Sequence, residues 1–204
     1  MDFGLSEEQR LLEQTLRRWL DEQLPVARVR EIAARDDAAD APLWQGLAEL
    51  GVLGLLVPEA HGGSGLGMLD AALAMQSLAR AAAPAPFLGS AVLAPVAFAA
   101  AGTQTQCREW LPRLAAGTSQ IGVALGELTG RRAGAGLRAD GGRLQGRALF
   151  VVDAGAAHAF VVALGRDHLA LVPADAAGLT ITLLPTIDRT RRVAELAFDG
   201  VGPI

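Results

Sequence analysis

The feature that most constrains the fold is a change of hydrophobic period near Gly117. Before that glycine, apolar residues recur at intervals of three and four, which is typical of amphipathic helices. After it, short runs rich in Val, Leu, Ile and Phe are separated by Gly and Asp, which is typical of strands and hairpins. The sequence therefore predicts an α+β protein, with a helical domain at residues 1–118 and a β-domain at residues 119–204.

Capping and pairing signals locate the helices. Ser6 and Gln9 have the spacing of a capping box, and Glu13 and Arg17 form a favourable pair on the polar face of the helix that follows. Two further helices are predicted to begin at Pro25 and at Pro42, the second after an Asp40 cap. Helical patterns also cover 69–76, 85–101 with a kink at Pro95, and 103–116 with a bend at Pro112.

The second half has strand patterns at short spacing. Ala194, Leu196 and Phe198 occupy every second position, as expected for a strand with one buried face. Similar runs lie at 120–125, 143–152, 158–164, 168–172 and 179–184. Antiparallel strands at this spacing predict a compact barrel or sandwich.

Composition excludes several classes of protein. The chain is 51% hydrophobic and 20% charged, as in globular proteins. The net charge is -4 and the arginines are scattered, so we expect no nucleic-acid partner. No uninterrupted apolar run is long enough for membrane insertion. Cys107 is the only cysteine, and the N-terminus runs directly into charged residues, so we expect a cytoplasmic protein without an export signal.

Three segments, in order, carry a resemblance to a known family. Residues 44–67, WQGLAELGVLGLLVPEAHGGSGLG, closely resemble a signature segment of acyl-CoA dehydrogenases. Residues 110–117, WLPRLAAG, resemble that family's helix-to-sheet junction. Residues 141–146, GGRLQG, resemble the β-hairpin before its flavin-contacting strand. The chain is similar to the N-terminal helical and middle β-domains of the family.

The resemblance implies a function. Members bind FAD and an acyl-CoA thioester between these two domains and a C-terminal four-helix domain. A carboxylate removes the α-proton and the β-hydrogen leaves as hydride to flavin N5, which gives a 2,3-enoyl-CoA. The expected partners are therefore an acyl-CoA substrate and other dehydrogenase subunits, in a homo- or hetero-oligomer.

The resemblance also assigns cofactor-binding positions. The family's Thr-Glu-Pro turn corresponds to Gly126, Glu127 and Leu128, and the Gly-Ser-Asp that usually follows is missing. Flavin contact through the backbone of Leu125 and Gly126 is still expected. Phe150 falls where the family often has a flavin-packing aromatic residue, although it could equally be a core aromatic. Val152 falls where a Thr usually bonds near flavin N5, and its side chain cannot form that bond.

No catalytic residue is expected within residues 1–204. The usual glutamate base belongs to the C-terminal helical domain, and the sequence stops at Ile204, where that domain would start. Glu59 and Glu127 lie in segments that the family uses for architecture. His61 is isolated in its loop, and nothing nearby would orient it as a base. We expect no metal site, since His158 and His168 have no companions at metal-ligand spacing.

Two other functions remain open from the sequence. The altered flavin motifs would also suit a non-catalytic structural subunit of a hetero-oligomeric dehydrogenase. Flavin monooxygenases and nitroalkane oxidases resemble the same fold, so a different flavin reaction is a further alternative.

Overall fold

The computed structural model describes residues 4–35, 40–126 and 135–203. Helices occupy the first part: α1 Glu7–Gln23, α2 Val26–Ala33, α3 Ala41–Glu49, α4 Met68–Arg80, a π-helix Leu88–Leu93 that continues into α5 Ala94–Ala101, and α6 Gln104–Ala115. Strands occupy the second part: β1 Ile121–Ala124, β2 Gly136–Asp140, β3 Arg143–Val151, β4 Ala159–Leu164, β5 His168–Pro173, β6 Leu179–Leu183 and β7 Ala194–Val201.

The predicted caps are confirmed. Ser6 Oγ accepts the Gln9 N–H while the Gln9 side chain accepts the Ser6 N–H, so α1 begins with a capping box. Asp40 accepts the Leu43 N–H at 2.8 Å at the start of α3. On the polar face of α1, Glu13 and Arg17 form an ion pair at 2.6 Å. The capping contacts, each between residues three apart, set the starts of α1 and α3.

The connection between α3 and α4 is compact. Two short 3₁₀ turns, Val52–Gly54 and Glu59–His61, replace a continuing helix there. A β-carbon at Gly63 would collide with the Val57 backbone, so only glycine allows this close approach. Val52 and Val57 are buried, which makes this segment part of the core.

The helix that was predicted to kink at Pro95 contains a π-helical turn just before that proline. Pro95 has no N–H to donate to the carbonyl of Ala91, one turn earlier. The π-helical turn Leu88–Leu93 lies immediately before it and joins α5 without a break.

The strands form two sheets, with orders β1-β4-β5 and β2-β3-β7-β6. One face of the three-stranded sheet packs on helical residues such as Phe98 and Leu114, and the other packs on the four-stranded sheet through Phe160 and Phe198. The three-stranded sheet is therefore a middle layer. Burial on both faces explains the continuous apolar runs in β1 and β4.

Of the two predicted arrangements the structure has the sandwich, since two sheets pack on each other and the described strands do not close into a barrel. The structure corrects the strand prediction in two other respects. β1 pairs with β4 in parallel, whereas the other pairs are antiparallel as predicted. β2 was not among the predicted runs. The chain leaves β1 for β2 and β3 in the other sheet before returning as β4, so no tight turn forces the two strands to be antiparallel.

The helical and β-structured parts meet between Ala115 and Ile121. Trp44 on α3 donates its Nε1–H to the carbonyl oxygen of Gly117 at 2.8 Å, which ties this connection to the helices. We propose the boundary of the two domains, 118/119, in this connection. None of the helices in the described ranges combines the length and hydropathy needed to cross a bilayer.

Candidate functional site

The four predicted cofactor-binding residues lie together at the junction of the two sheets. Val123 in β1 forms an antiparallel bridge with Val152, which follows β3. Leu125 and Gly126 follow β1 directly and so lie beside the end of β3. A β-carbon built on Gly126 would lie 3.3 Å from the Leu149 carbonyl oxygen, so Gly126 lies next to the residue that precedes Phe150.

Phe150 is presented to the outside by an unusual backbone. The pairing of β3 with β7 shifts register between Ala148 and Val151, and Phe150 within this bulge has φ +56°. A bulky residue with positive φ is rare and indicates local strain that the surrounding structure must support. Phe150 is 51% exposed, so in the part of the chain that the structure describes it is not a core aromatic. The exposed ring is therefore available to stack on a flat ligand.

Val152 contributes less than its position suggests. Its N–H and carbonyl oxygen both bond to Val123, each at 3.1 Å. Its aliphatic side chain has no donor or acceptor. Val152 can therefore contact an aromatic ring system by packing, but neither its main-chain N–H nor its side chain is available to bond a ring nitrogen.

The residues fit the face of a flat aromatic cofactor in part. Phe150 offers a ring for stacking, and Leu125 and Gly126 offer main chain opposite it. None of the four has a side-chain hydroxyl or charge. Polar recognition of a flavin by this surface would depend on main-chain groups or on side chains from elsewhere. Glu127 lies outside the described residues.

Sequence reasoning missed Asp153, which follows Val152 directly. Its side chain is 3% exposed, and its Oδ2 accepts the backbone N–H of Gly89 at 2.6 Å. Burial raises the pKa of Asp153 above the ordinary aspartate value, while the Gly89 N–H and the Arg191 charge oppose that rise. An aspartate at the end of an apolar strand was a visible signal, but its partner lies 64 residues away.

The other candidate polar residues have structural surroundings. Glu59 is exposed in a 3₁₀ turn. His158 Nδ1 accepts the Gln120 N–H at 3.0 Å, next to the start of β4. His168 opens β5 opposite Leu164. Within the described ranges, no three His, Cys, Asp or Glu residues gather in a way that could hold a metal ion.

Comparison with known proteins identifies relatives. Residues 6–118 match the family model described as acyl-CoA dehydrogenase, N-terminal domain. Mitochondrial isovaleryl-CoA dehydrogenase from Pongo abelii is 35% identical over 127 residues, which cover 61% of this chain and 30% of that protein.

Solved structures agree over both parts of the chain. The ChsE4-ChsE5 complex from Mycobacterium tuberculosis matches with a TM-score of 0.90 and 28% identity, covering 100% of this chain and 57% of that chain. A glutaryl-CoA dehydrogenase from Mycobacterium smegmatis in complex with FADH2 matches with a TM-score of 0.79 and 25% identity, covering 97% of this chain and 54% of that chain. The chain thus spans under two thirds of the length of each of these relatives. By its sequence match and its fold, the chain belongs to the acyl-CoA dehydrogenase family.

Proposed function

We propose that this chain forms part of an FAD-dependent acyl-CoA dehydrogenase that converts an acyl-CoA thioester to the 2,3-enoyl-CoA. The observation that carries the proposal is the convergence of Leu125, Gly126, Phe150 and Val152 on one surface, with the Phe150 ring half exposed. The family supports the reaction class, and the FADH2 in the glutaryl-CoA dehydrogenase structure supports the cofactor.

Phe150 would pack on the flavin ring and Leu125 and Gly126 would approach it with main chain. Bound FAD would accept the hydride that leaves the substrate β-carbon. Val152 would exclude water from that contact without bonding to it, because Val123 holds its backbone groups. We therefore expect residues 1–204 alone to bind FAD weakly.

The base that removes the α-proton would come from outside residues 1–204. Asp153 is the carboxylate adjacent in sequence to this surface, and it is buried and bonded to Gly89. A positioned base typically contributes about 10²–10⁴-fold to such a proton transfer. The four-helix domain that the family resemblance associates with the base would supply it, in the same polypeptide or in a separate chain. The complete enzyme would be a homo- or hetero-oligomer in the cytoplasm.

A second candidate is a non-catalytic subunit of a hetero-oligomeric dehydrogenase. The engagement of both Val152 backbone groups and the absence of hydroxyls at the four positions favour it. The ChsE4-ChsE5 structure is a complex of two differently named chains, which supports the same arrangement.

The test is purification of the native protein through a tag on this chain, followed by measurement of bound flavin per chain. Acyl-CoA oxidation with an artificial electron acceptor is assayed on the same preparation and on residues 1–204 alone. The dehydrogenase proposal expects flavin and turnover in the native preparation and no turnover by residues 1–204. One flavin for every two subunits, with no loss of flavin when Phe150 is replaced, would favour the non-catalytic subunit. A flavin-free, inactive native preparation would overturn the dehydrogenase proposal.

A further inference from the structure

We propose that Asp153 is a positioning residue that fastens the end of β3, with the bulge at Phe150 and the following Val152, to the π-helical turn Leu88–Leu93, and so sets the shape of the flavin-facing surface. This inference rests on the proposed function for its consequence. The contacts that carry it are independent of any cofactor.

The first contact is a helix cap: Asp153, which follows β3, accepts a hydrogen bond from the backbone N–H of Gly89. Gly89 lies in the first turn of the helix, where backbone N–H groups have no intrahelical acceptor. Asp153 supplies that acceptor at 2.6 Å from a position 64 residues later. A carboxylate at a helix N-terminus is also favoured by the helix dipole. The contact therefore joins the helical part of the chain to the end of the bulge.

The packing around this contact is tight. A β-carbon on Gly89 would lie 2.7 Å from the Ile121 carbonyl oxygen and 3.1 Å from Asp153 Oδ2. The neighbouring Ser90 Oγ accepts the Ile121 N–H at 2.9 Å and donates to the Ile121 carbonyl oxygen at 3.3 Å. One helical turn thus holds both the start of β1 and the end of the bulge.

The bulge needs such support. Phe150 and Asp153 both have φ +56°. Val152, which lies between them, is held by its backbone bridge to Val123. Strained conformations of this kind persist only where surrounding contacts determine them. Arg191 places a guanidinium nitrogen 3.9 Å from the Asp153 carboxylate and bonds to Met75 Sδ at 3.7 Å. Gly89 and Arg191 therefore both contact the Asp153 carboxylate, which in turn fixes the chain that follows the bulge.

Asp153 also borders free space. It lines a cavity of about 290 Å³ together with Trp44, Gln120, His158 and Arg191. The turn after the bulge is thus not packed solidly at Asp153. Removal of the carboxylate would enlarge this space and give the backbone at Asp153 room to move.

The experiment compares amide hydrogen exchange at Val123 and Val152 in three variants of the full-length protein, with any subunit that co-purifies. Asp153→Gly removes the carboxylate but tolerates positive φ. Asp153→Asn keeps an acceptor for Gly89 and also tolerates that φ. Trp44→Phe is the control, since it removes the bond to Gly117 at the other contact between the two parts of the chain.

We expect Asp153→Gly to lower protection at Val123 and Val152 on the order of tenfold more than in β5 and β7, as for loss of a hydrogen bond to a charged group. Asp153→Asn should restore that protection, and Trp44→Phe should leave it unchanged. FAD affinity of the native protein should follow the same order. Unchanged protection in Asp153→Gly, or an equal loss in all strands, would refute the positioning role. A native wild-type protein without FAD would refute the proposed function instead, and the exchange data would still decide what Asp153 does to the bulge.

Discussion

Val123 and Val152 exchange both of their backbone hydrogen bonds, each at 3.1 Å between nitrogen and oxygen. This pair joins β1 to the segment after β3 and so connects the two sheets beside Phe150. Because both bonds join main-chain atoms, a substitution at Val152 can add a side-chain hydrogen-bonding group without breaking the pair.

Val152→Thr should strengthen FAD binding. The threonine hydroxyl would provide the hydrogen bond that valine lacks, and a neutral bond contributes about 0.5–1.5 kcal/mol, or roughly 2- to 12-fold in affinity. Flavin titration of the native complex measures the change. Val96→Thr, at a residue 43% exposed on α5, is the matched control and should leave FAD affinity unaltered. Equal affinities for Val152→Thr and wild type would contradict a flavin at this surface.

Phe150→Gly should weaken FAD binding without weakening the fold. Loss of the ring removes an aromatic stacking contact, which should cost at least about 0.5–1.5 kcal/mol of binding free energy. Glycine accepts φ +56° without strain, whereas alanine adopts a positive φ only at an energetic cost. Phe150→Ala should therefore bind FAD equally poorly but unfold with a free energy about 1 kcal/mol lower than Phe150→Gly. Chemical denaturation of the pair measures this difference, and an alanine variant as stable as the glycine variant would show that Phe150 is unstrained.

The buried Asp153 should make stability fall with rising pH. Because burial raises its pKa in the folded protein above the ordinary value of 3.8, the folded state holds the proton more tightly than the unfolded state does. The stabilisation from the bound proton is complete below that ordinary value and is lost as pH rises through the raised, folded pKa. Asp153→Asn cannot titrate. The quantity to measure is the free energy of unfolding of wild type minus that of Asp153→Asn. This difference should decrease above pH 3.8 and then level off. Denaturant titrations from acidic to neutral pH measure it. A difference that increases with pH would contradict this assignment.

Gly89→Ala should destabilise the protein strongly. The added methyl group would meet the Ile121 carbonyl oxygen at 2.7 Å, and that oxygen belongs to backbone that cannot rotate away. Overpacking of this kind costs typically about 1–3 kcal/mol. Gly202→Ala is the control, because nothing lies within 4 Å of its added carbon and its φ is not positive. Equal thermal midpoints for the two variants would show that the π-helical turn can shift.

Local sequence patterns determined much of the architecture. The Ser6–Gln9 capping box and the Asp40 cap set the starts of α1 and α3 through contacts three residues apart. The alternation at Ala194, Leu196 and Phe198 determined which face of β7 is buried. The segments at 44–67 and 110–117 identified the family. The caps and the alternation arise from contacts and periods that span a few residues, so they can be read without the fold.

The tertiary structure decided the features that depend on distant contacts. The parallel pairing of β1 with β4 depends on the path through β2 and β3, which no local period encodes. The positive φ of Phe150 is imposed by the bulge and its neighbours, although phenylalanine disfavours it. The bond from Gly89 to Asp153 joins residues 64 positions apart. Such contacts form only when packed elements bring the groups together, and therefore the sequence could name Phe150 and Val152 but not the aspartate beside them.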